Sequence, residues 1–243
     1  MRRDWVIAAL IAVVLLGIAA ARGIINANSI VFFVALIPSI ILHEVSHGFV
    51  ANLFGDDTAK RSGRLSLNPF VHIDLFGSLI LPGLMILVGI PPLGYAKPVP
   101  VDISRLRHPR NQAVLVGLVG PFVNLVLAIA AGFAFRSVIQ TALVASPLAS
   151  QNQVGSSLLV QFLADLGLVN VALMVFNLIP IPPLDGSAVI ERFLPAAWWS
   201  GYLRVRRFAL PVVFLLVLLD PTLIATLIGA VDQRWINLFV PAG

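Results

Sequence analysis

The chain has 243 residues, 59% of them hydrophobic and only 11% charged, against about 25% charged in soluble domains. That balance excludes an ordinary soluble domain, and the net charge of +5 then reports membrane orientation, with no nucleic-acid partner. There is no cysteine, so no disulfide framework or thiolate site exists and any bound metal must use His and carboxylates.

Arg2, Arg3 and Asp4 precede Trp5 to Ala21, an uncharged run longer than the roughly 7–15 apolar residues of a signal peptide. It reads as a retained first membrane helix. A short polar turn, Arg22 to Ser29, leads to a second helix, Ile30 to Phe54, long enough to span and expected to kink at Pro38. Its only ionisable residues are His43, Glu44 and His47. Gly55 to Asn68 is polar. Leu75 to Ile90 is apolar but broken by Gly77, Pro82, Gly83 and Gly89. It runs into Gly94 to Val101, which alternates like a short edge strand because Pro98 and Pro100 cannot donate to a ladder.

After a basic cluster (Arg105, Arg107, Arg110), Val114 to Phe135 is a clean spanning run. Arg136 to Ser157 is Ser/Gln-rich and reads as a loop. Leu158 to Ile181 spans again, carrying Gln161, Asp165, Asn170 and Asn177, and ends in Pro180, Pro182, Pro183, Asp185 and Gly186. Ser187 to Arg207 is polar. Phe208 to Leu219 and Thr222 to Val231, separated by Asp220-Pro221, form either one kinked helix or a broken pair. The expected fold is an all-α polytopic membrane protein. It has about five to six transmembrane helices, plus a re-entrant Gly/Pro-rich segment with a short β-strand or hairpin. Residues 1–243 make one membrane-embedded domain, with its core at about 30–190.

Basic residues decide whether Leu75 to Ile90 crosses or turns back. If it turns back, thirteen of the sixteen Lys and Arg share one side, leaving Arg22, Arg136 and Arg234 opposite; if it crosses, the division is seven against nine. The positive-inside rule selects the re-entrant arrangement, with the N-terminus cytoplasmic. Irregular backbone at membrane depth is tolerated where it lines a cavity. The same arrangement brings Asp185 to the membrane face that holds His43 and His47.

His43-Glu44-Val45-Ser46-His47 is an H-E-x-x-H sequence. Two His four apart on a helix share one face and can grip one zinc ion, and Glu44 beside them is placed to take a proton from water at the metal. Such groups are expensive in hydrocarbon and are functional by default. A catalytic zinc takes a third protein ligand. The residues alone leave Asp185, Asp165, His72, Asp74 and Asp220 as candidates. Asp185 has the favoured topology, Asp165 lies near the far end of its helix, and Asp220 reads as a helix break.

H-E-x-x-H in an early membrane helix, Gly120-Pro121-x-x-Asn124 in a middle one and Asn177-x-x-Pro180-x-Pro182-Pro183-Leu184-Asp185-Gly186 in a later one resemble the site-2 protease (M50) family of intramembrane zinc metalloproteases. The similarity is to a compact prokaryotic branch without PDZ or CBS modules. The resemblance implies one Zn2+ per chain on His43, His47 and Asp185, with Glu44 as the catalytic base. Asn177 assists at the substrate carbonyl, and Asn124 contributes at the substrate site. The edge near Tyr95 to Val101, with Tyr95 and Val99, would pair with an extended peptide by strand addition. The implied partners are membrane proteins with a transmembrane helix, cleaved in the lipid bilayer of a prokaryotic cell membrane, with the active site opening to the cytoplasm. A membrane metal transporter and a proteolytically inactive scaffold are the alternatives from other classes.

The re-entrant topology has a direct check, because the chain is naturally free of cysteine. Single cysteines at Ser66 and Ser104 are expected to react with a membrane-impermeant reagent from the same side of the membrane; labelling from opposite sides would refute the arrangement.

Overall fold

The computed structural model describes residues 26–74, 96–145 and 157–240, and among residues 1–25 only positions 14, 17, 18, 21 and 23. The expected first helix and the expected re-entrant segment, Leu75 to Ile90, therefore lie outside the described residues. What is described is almost wholly helical. The main elements are α1 (Ala27–Leu53), α2 (Pro109–Ala145), α3 (Leu158–Leu178), α4 (Ser187–Phe193), α5 (Trp199–Leu219) and α6 (Pro221–Phe239). Three of these, α1, α2 and α3, are long and apolar enough to cross a membrane.

Helix α1 begins where the backbone finds an internal cap. The Asn26 side chain accepts the Ser29 N–H at 3.0 Å, and the Ser29 hydroxyl oxygen accepts the Asn26 N–H at 3.0 Å. This reciprocal box satisfies donors that the first turn leaves open. The helix continues unbroken through Pro38. Helices α1, α2 and α3 pack on one another, with small residues (Ala35, Ala51, Ala128, Ala131) fully buried where they meet. In lipid, close backbone approach over small side chains is what holds helices together. Large apolar side chains point outward instead, with Phe122 and Phe133 61% and 66% exposed, as expected of surfaces solvated by acyl chains.

Helix bounds differ from the sequence expectation at several points, most clearly in α2. Helix α2 runs well past Phe135, into the Arg136 to Ser157 stretch expected to be a loop, as far as Ala145. The reason is packing: Phe135 and Ile139, one turn apart, extend a buried stripe against Val160 and Leu163 of α3. At about 1.5 Å per residue the 37-residue helix is about 55 Å long, so its ends must project beyond a hydrocarbon core of about 30 Å. At the C-terminal end the choice between a kinked helix and a pair resolves to a pair. Asp220 caps α6 by accepting the Thr222 N–H at 3.0 Å, and Pro221 occupies the first turn. Helix α6 then docks on α2 and α3 through Trp235, whose indole N–H donates to the Ala128 carbonyl at 2.9 Å, and through Phe239.

No strand occurs among the described residues. Ala96–Val101 is instead an irregular segment beside α1, with Lys97 and Val99 each held extended by the proline that follows. One backbone pairing, Lys97 N–H to His72 O at 2.8 Å, ties it to the preceding loop. The principal tether is Asp56, which is completely buried just past the end of α1. One carboxylate oxygen accepts from the Thr58 N–H and hydroxyl at 3.0 and 2.5 Å, and the other accepts the Asp102 N–H at 2.7 Å. Arg107 N–H adds a bond to Phe54 O at 3.1 Å.

Burial pushes the Asp56 carboxyl up, but the bonds from Thr58 and Asp102 and the nearby Arg105 outweigh it and hold the group below the ordinary aspartate range. A depressed folded value stabilises the fold above the unfolded aspartate value of about 4, and that contribution fades as the pH falls through the folded value. Asp56→Asn removes one charged acceptor and is expected to cost about 2 kcal/mol at neutral pH. Thermal unfolding of the metal-free protein in detergent should show this deficit at pH 7 and a smaller one below pH about 4; a deficit independent of pH would contradict a charged tether.

Candidate metal centre

The four-residue spacing places His43 and His47 on the face of α1 that meets α2, and both are buried, 6% and 8% exposed. The helices come close there because position 120 has no side chain. A Cβ on Gly120 would lie 2.5 Å from both His43 Cε1 and His47 Nε2. The third group arrives from a broken helix end. Helix α3 stops at Leu178, and the chain turns through Pro180, Pro182 and Pro183 before α4 starts at Ser187. The Gly186 N–H donates back to Asn177 O at 2.7 Å, and a Cβ on Gly186 would collide with the Leu178 carbonyl. This tight turn aims the Asp185 carboxylate at the two imidazoles. Arg192 of α4 donates to Asn111 of α2 at 2.7 Å, and Glu191 accepts the Tyr202 hydroxyl of α5 at 2.6 Å. The turn is thus anchored on both sides.

Asp185 Oδ2 lies 3.0 Å from His43 Nε2 and 3.4 Å from His47 Nε2, and the two Nε2 atoms are 3.1 Å apart. His47 Nδ1 is 2.6 Å from the Val116 carbonyl, which can only accept, so Nδ1 donates and the Nε2 lone pair of the neutral ring faces inward. Asp185 Oδ2 is buried without a hydrogen-bond donor; its contacts to the imidazoles are close but not hydrogen bonds. Acceptors aimed at one another in a low-dielectric setting repel unless a cation lies between them. Together the three residues can hold a metal ion, and two imidazoles with one carboxylate suit zinc with a coordination position left open. The Asp185 side chain is 20% exposed, so the group is reachable from that side.

Glu44 is not one of the three converging residues. Its Oε2 accepts the Val99 N–H at 2.9 Å, so the irregular segment and the carboxylate fix each other beside the imidazoles. Asn124 is completely buried, with Oδ1 2.5 Å from His43 Nδ1 and its amide N–H donating to Asn170 at 2.7 Å. It sits behind an imidazole rather than on a surface that a peptide would touch. The Asn177 amide donates to Leu173 O of its own helix at 3.0 Å; it shares the turn with Asp185 but bonds to none of the three converging residues. Val99 contributes its backbone and packs its side chain against α1, while Tyr95 lies outside the described residues.

Of the other candidates, His72 anchors its loop by donating from Nε2 to Ser66 O at 2.8 Å, Asp220 is the cap of α6, and Asp165 does not join the group. Reading the sequence for ligands alone missed Gly120, Asn170 and Ser39. Their available signal was polarity or smallness inside apolar spans.

A profile of peptidase family M50 matches residues 31–219. The chain belongs to the M50, or site-2 protease, family. The M50 chain is 38% identical over 188 residues to YwhC of Bacillus subtilis, covering 77% of this chain and 80% of that one. It is 37% identical over 195 residues to Rip2 of Mycobacterium tuberculosis, covering 79% and 68%. Both relatives carry zinc metalloprotease in their names. No solved structure gives a significant match. The protein is accordingly a zinc metalloprotease of the site-2 type and a membrane protein, and zinc is its cofactor.

Gly120 supplies the check on this geometry. Gly120→Ala forces α2 against both imidazoles, and overpacking of this kind costs about 1–3 kcal/mol. The expected outcome is zinc affinity weakened about 10–100-fold in a chelator competition, with helical content unchanged. Unaltered affinity would mean that α2 can retreat without disturbing the site.

Proposed function

We propose that this M50 protein cleaves transmembrane segments of membrane proteins, with His43, His47 and Asp185 as the ligands of one zinc ion per chain and Glu44 as the general base. The observation that carries this reading is the convergence of the three ligand atoms, all within 4.8 Å of one another, inside apolar helices, with a carboxylate fixed alongside. Residues 1–243 act as a single domain. It has five to six spans, counting the N-terminal run and the α5–α6 pair, and Leu75 to Ile90 turns back within the membrane. The N-terminus and the site opening face the cytoplasm of a prokaryotic cell.

Bound zinc supplies a Lewis acid that makes water nucleophilic near neutral pH and polarises a peptide carbonyl. Glu44 takes the proton from the attacking water and returns it to the leaving amine. Its anchorage on the Val99 N–H keeps one oxygen committed and leaves the other for proton transfer. Asn177 donates to the developing oxyanion once its amide leaves Leu173 O. Asn124 holds His43 from behind.

A substrate helix has its N–H and C=O groups paired internally, so it must unwind before it can react. The segment near Tyr95 and Val99 receives the unwound strand. Pro98 and Pro100 have no N–H, and those of Lys97 and Val99 are bonded to His72 and Glu44, so the segment offers an incoming peptide mainly carbonyl oxygens.

Glu44→Gln tests the reading. Gln nearly matches the shape of Glu but cannot accept and return a proton at neutral pH. Turnover of a transmembrane substrate in liposomes is expected to fall at least about 100-fold with zinc content unchanged, whereas His47→Ala is expected to lose the zinc. Near-normal cleavage by the zinc-loaded Gln variant would place the base elsewhere. Zinc flux across vesicles that survives this substitution would favour a transporter.

A further inference from the structure

The hydrogen bonds behind His43 have a fixed direction that can be read from their far end. Ser39, Asn124 and Asn170, on α1, α2 and α3 respectively, are each completely buried. The Ser39 hydroxyl donates to the Ala35 carbonyl at 2.7 Å, so its oxygen is left to accept. The Asn170 side-chain nitrogen meets this oxygen at 2.8 Å and the Leu166 carbonyl at 2.8 Å. Neither partner can donate to it, so the amide end of Asn170 cannot be turned round. Its Oδ1 must therefore face Asn124, 2.7 Å away, and accept from it. This in turn points Asn124 Oδ1 at His43 Nδ1, 2.5 Å away, and an oxygen there requires the hydrogen on Nδ1. Two backbone carbonyls, at Ala35 and Leu166, thus dictate through three side chains which nitrogen of His43 carries its lone pair.

We propose that Asn170 is a positioning residue of the metal centre: through Asn124 it fixes His43 in the tautomer with a free Nε2 lone pair. The inference rests on His43 being a zinc ligand, as proposed above. Without Asn170, the amide of Asn124 can turn over and present its NH2 to His43 Nδ1. The ring then carries its hydrogen on Nε2, donates it to His47 Nε2 3.1 Å away, and closes the ligand position with an internal hydrogen bond. The relay therefore selects against a metal-free state in which the site satisfies itself.

The experiment uses the full chain in detergent, with 15N-labelled histidine. Zinc-stripped wild-type protein is expected to show His43 with its hydrogen on Nδ1. In Asn170→Leu, or in Asn170→Ala should the larger residue disturb folding, the Nε2–H form should appear and zinc affinity, measured by chelator competition, should weaken about 10–100-fold. Asn170→Asp should restore both readouts. As the neutral acid its O–H donates to Leu166 O while its other oxygen still accepts from Asn124. Ser39→Ala should change little, because Leu166 O alone still pins Asn170. Retention of the Nδ1–H form and wild-type affinity in Asn170→Leu would overturn the proposal. So would an Asp variant as weak as the Leu one, since that pattern would mean packing and not hydrogen-bond direction. Failure of the ligand assignment is separable: His43→Ala would then keep its zinc, while the tautomer of the zinc-free protein would still report on the relay.

Discussion

The buried approach of His43 Nε2, His47 Nε2 and Asp185 Oδ2 is the constraint to which the surrounding elements answer. The His47 ring is turned inward by the Val116 carbonyl, and the carboxylate oxygen has no donor. A cluster of acceptors is costly at low dielectric and would spread apart if it were free to do so. It is not free, because each member is carried by a different packed element. Helix α1 fixes the imidazole pair by its period. Helix α2 fixes the depth at which the pair sits, through the missing side chain at Gly120. The broken end of α3 fixes the carboxylate, and α4 holds that turn through Arg192 and Asn111. Packing energy distributed over three apolar helices thus maintains a local arrangement that favours a cation.

The membrane setting explains how so few polar residues suffice. In lipid an unsatisfied polar group has no water to fall back on, and the completely buried Ser39, Asn124 and Asn170 are all paired. Ser39, Asn124 and Asn170 form a connected set between the three spanning helices, ending on His43 Nδ1. Asp56 does the corresponding work at the helix end, where it joins α1 to the segment that carries Val99. Neither set includes one of the three converging residues.

What could be read from the sequence followed from short-range regularity. His43 and His47 lie on one face because a helix has 3.6 residues per turn, and long apolar runs imply spans wherever they occur. Asp185 was legible less directly, through its place in the Asn177 to Gly186 motif and through a topology expected from charge asymmetry. The reach of α2 to Ala145 was not legible, because Arg136, Ser137 and Gln140 look like a loop until Phe135 and Ile139 are seen packed on α3. Gly120 heads the Gly-Pro-x-x-Asn motif, but its close approach to the imidazoles was not legible, and Asn170 looked like one of several polar residues in a span. Their importance depends on which atoms of other helices they face, and local pattern carries no information about that. Ala96–Val101 was legible as extended but not as unpaired, since its proline spacing suits an edge strand and an irregular tether equally.

The link between Glu44 and Val99 joins two parts of the proposed mechanism that would otherwise be independent. A half-buried carboxylate next to two imidazoles is drawn towards any cation they hold, and if it became a ligand it could no longer move a proton. The Val99 N–H at 2.9 Å offers a competing partner, and Pro98 and Pro100 stiffen the chain that presents it. The segment is held in turn by Asp56 through Asp102 and by His72 through Lys97, so the carboxylate is referenced to the helix end rather than to a loose loop. In the proposed mechanism a peptide docked through the carbonyl oxygens of this segment leaves the Val99 N–H with Glu44. Substrate binding and base positioning would then use different groups of one short piece of backbone, which allows the peptide to come close to the base without taking away the bond that aims it.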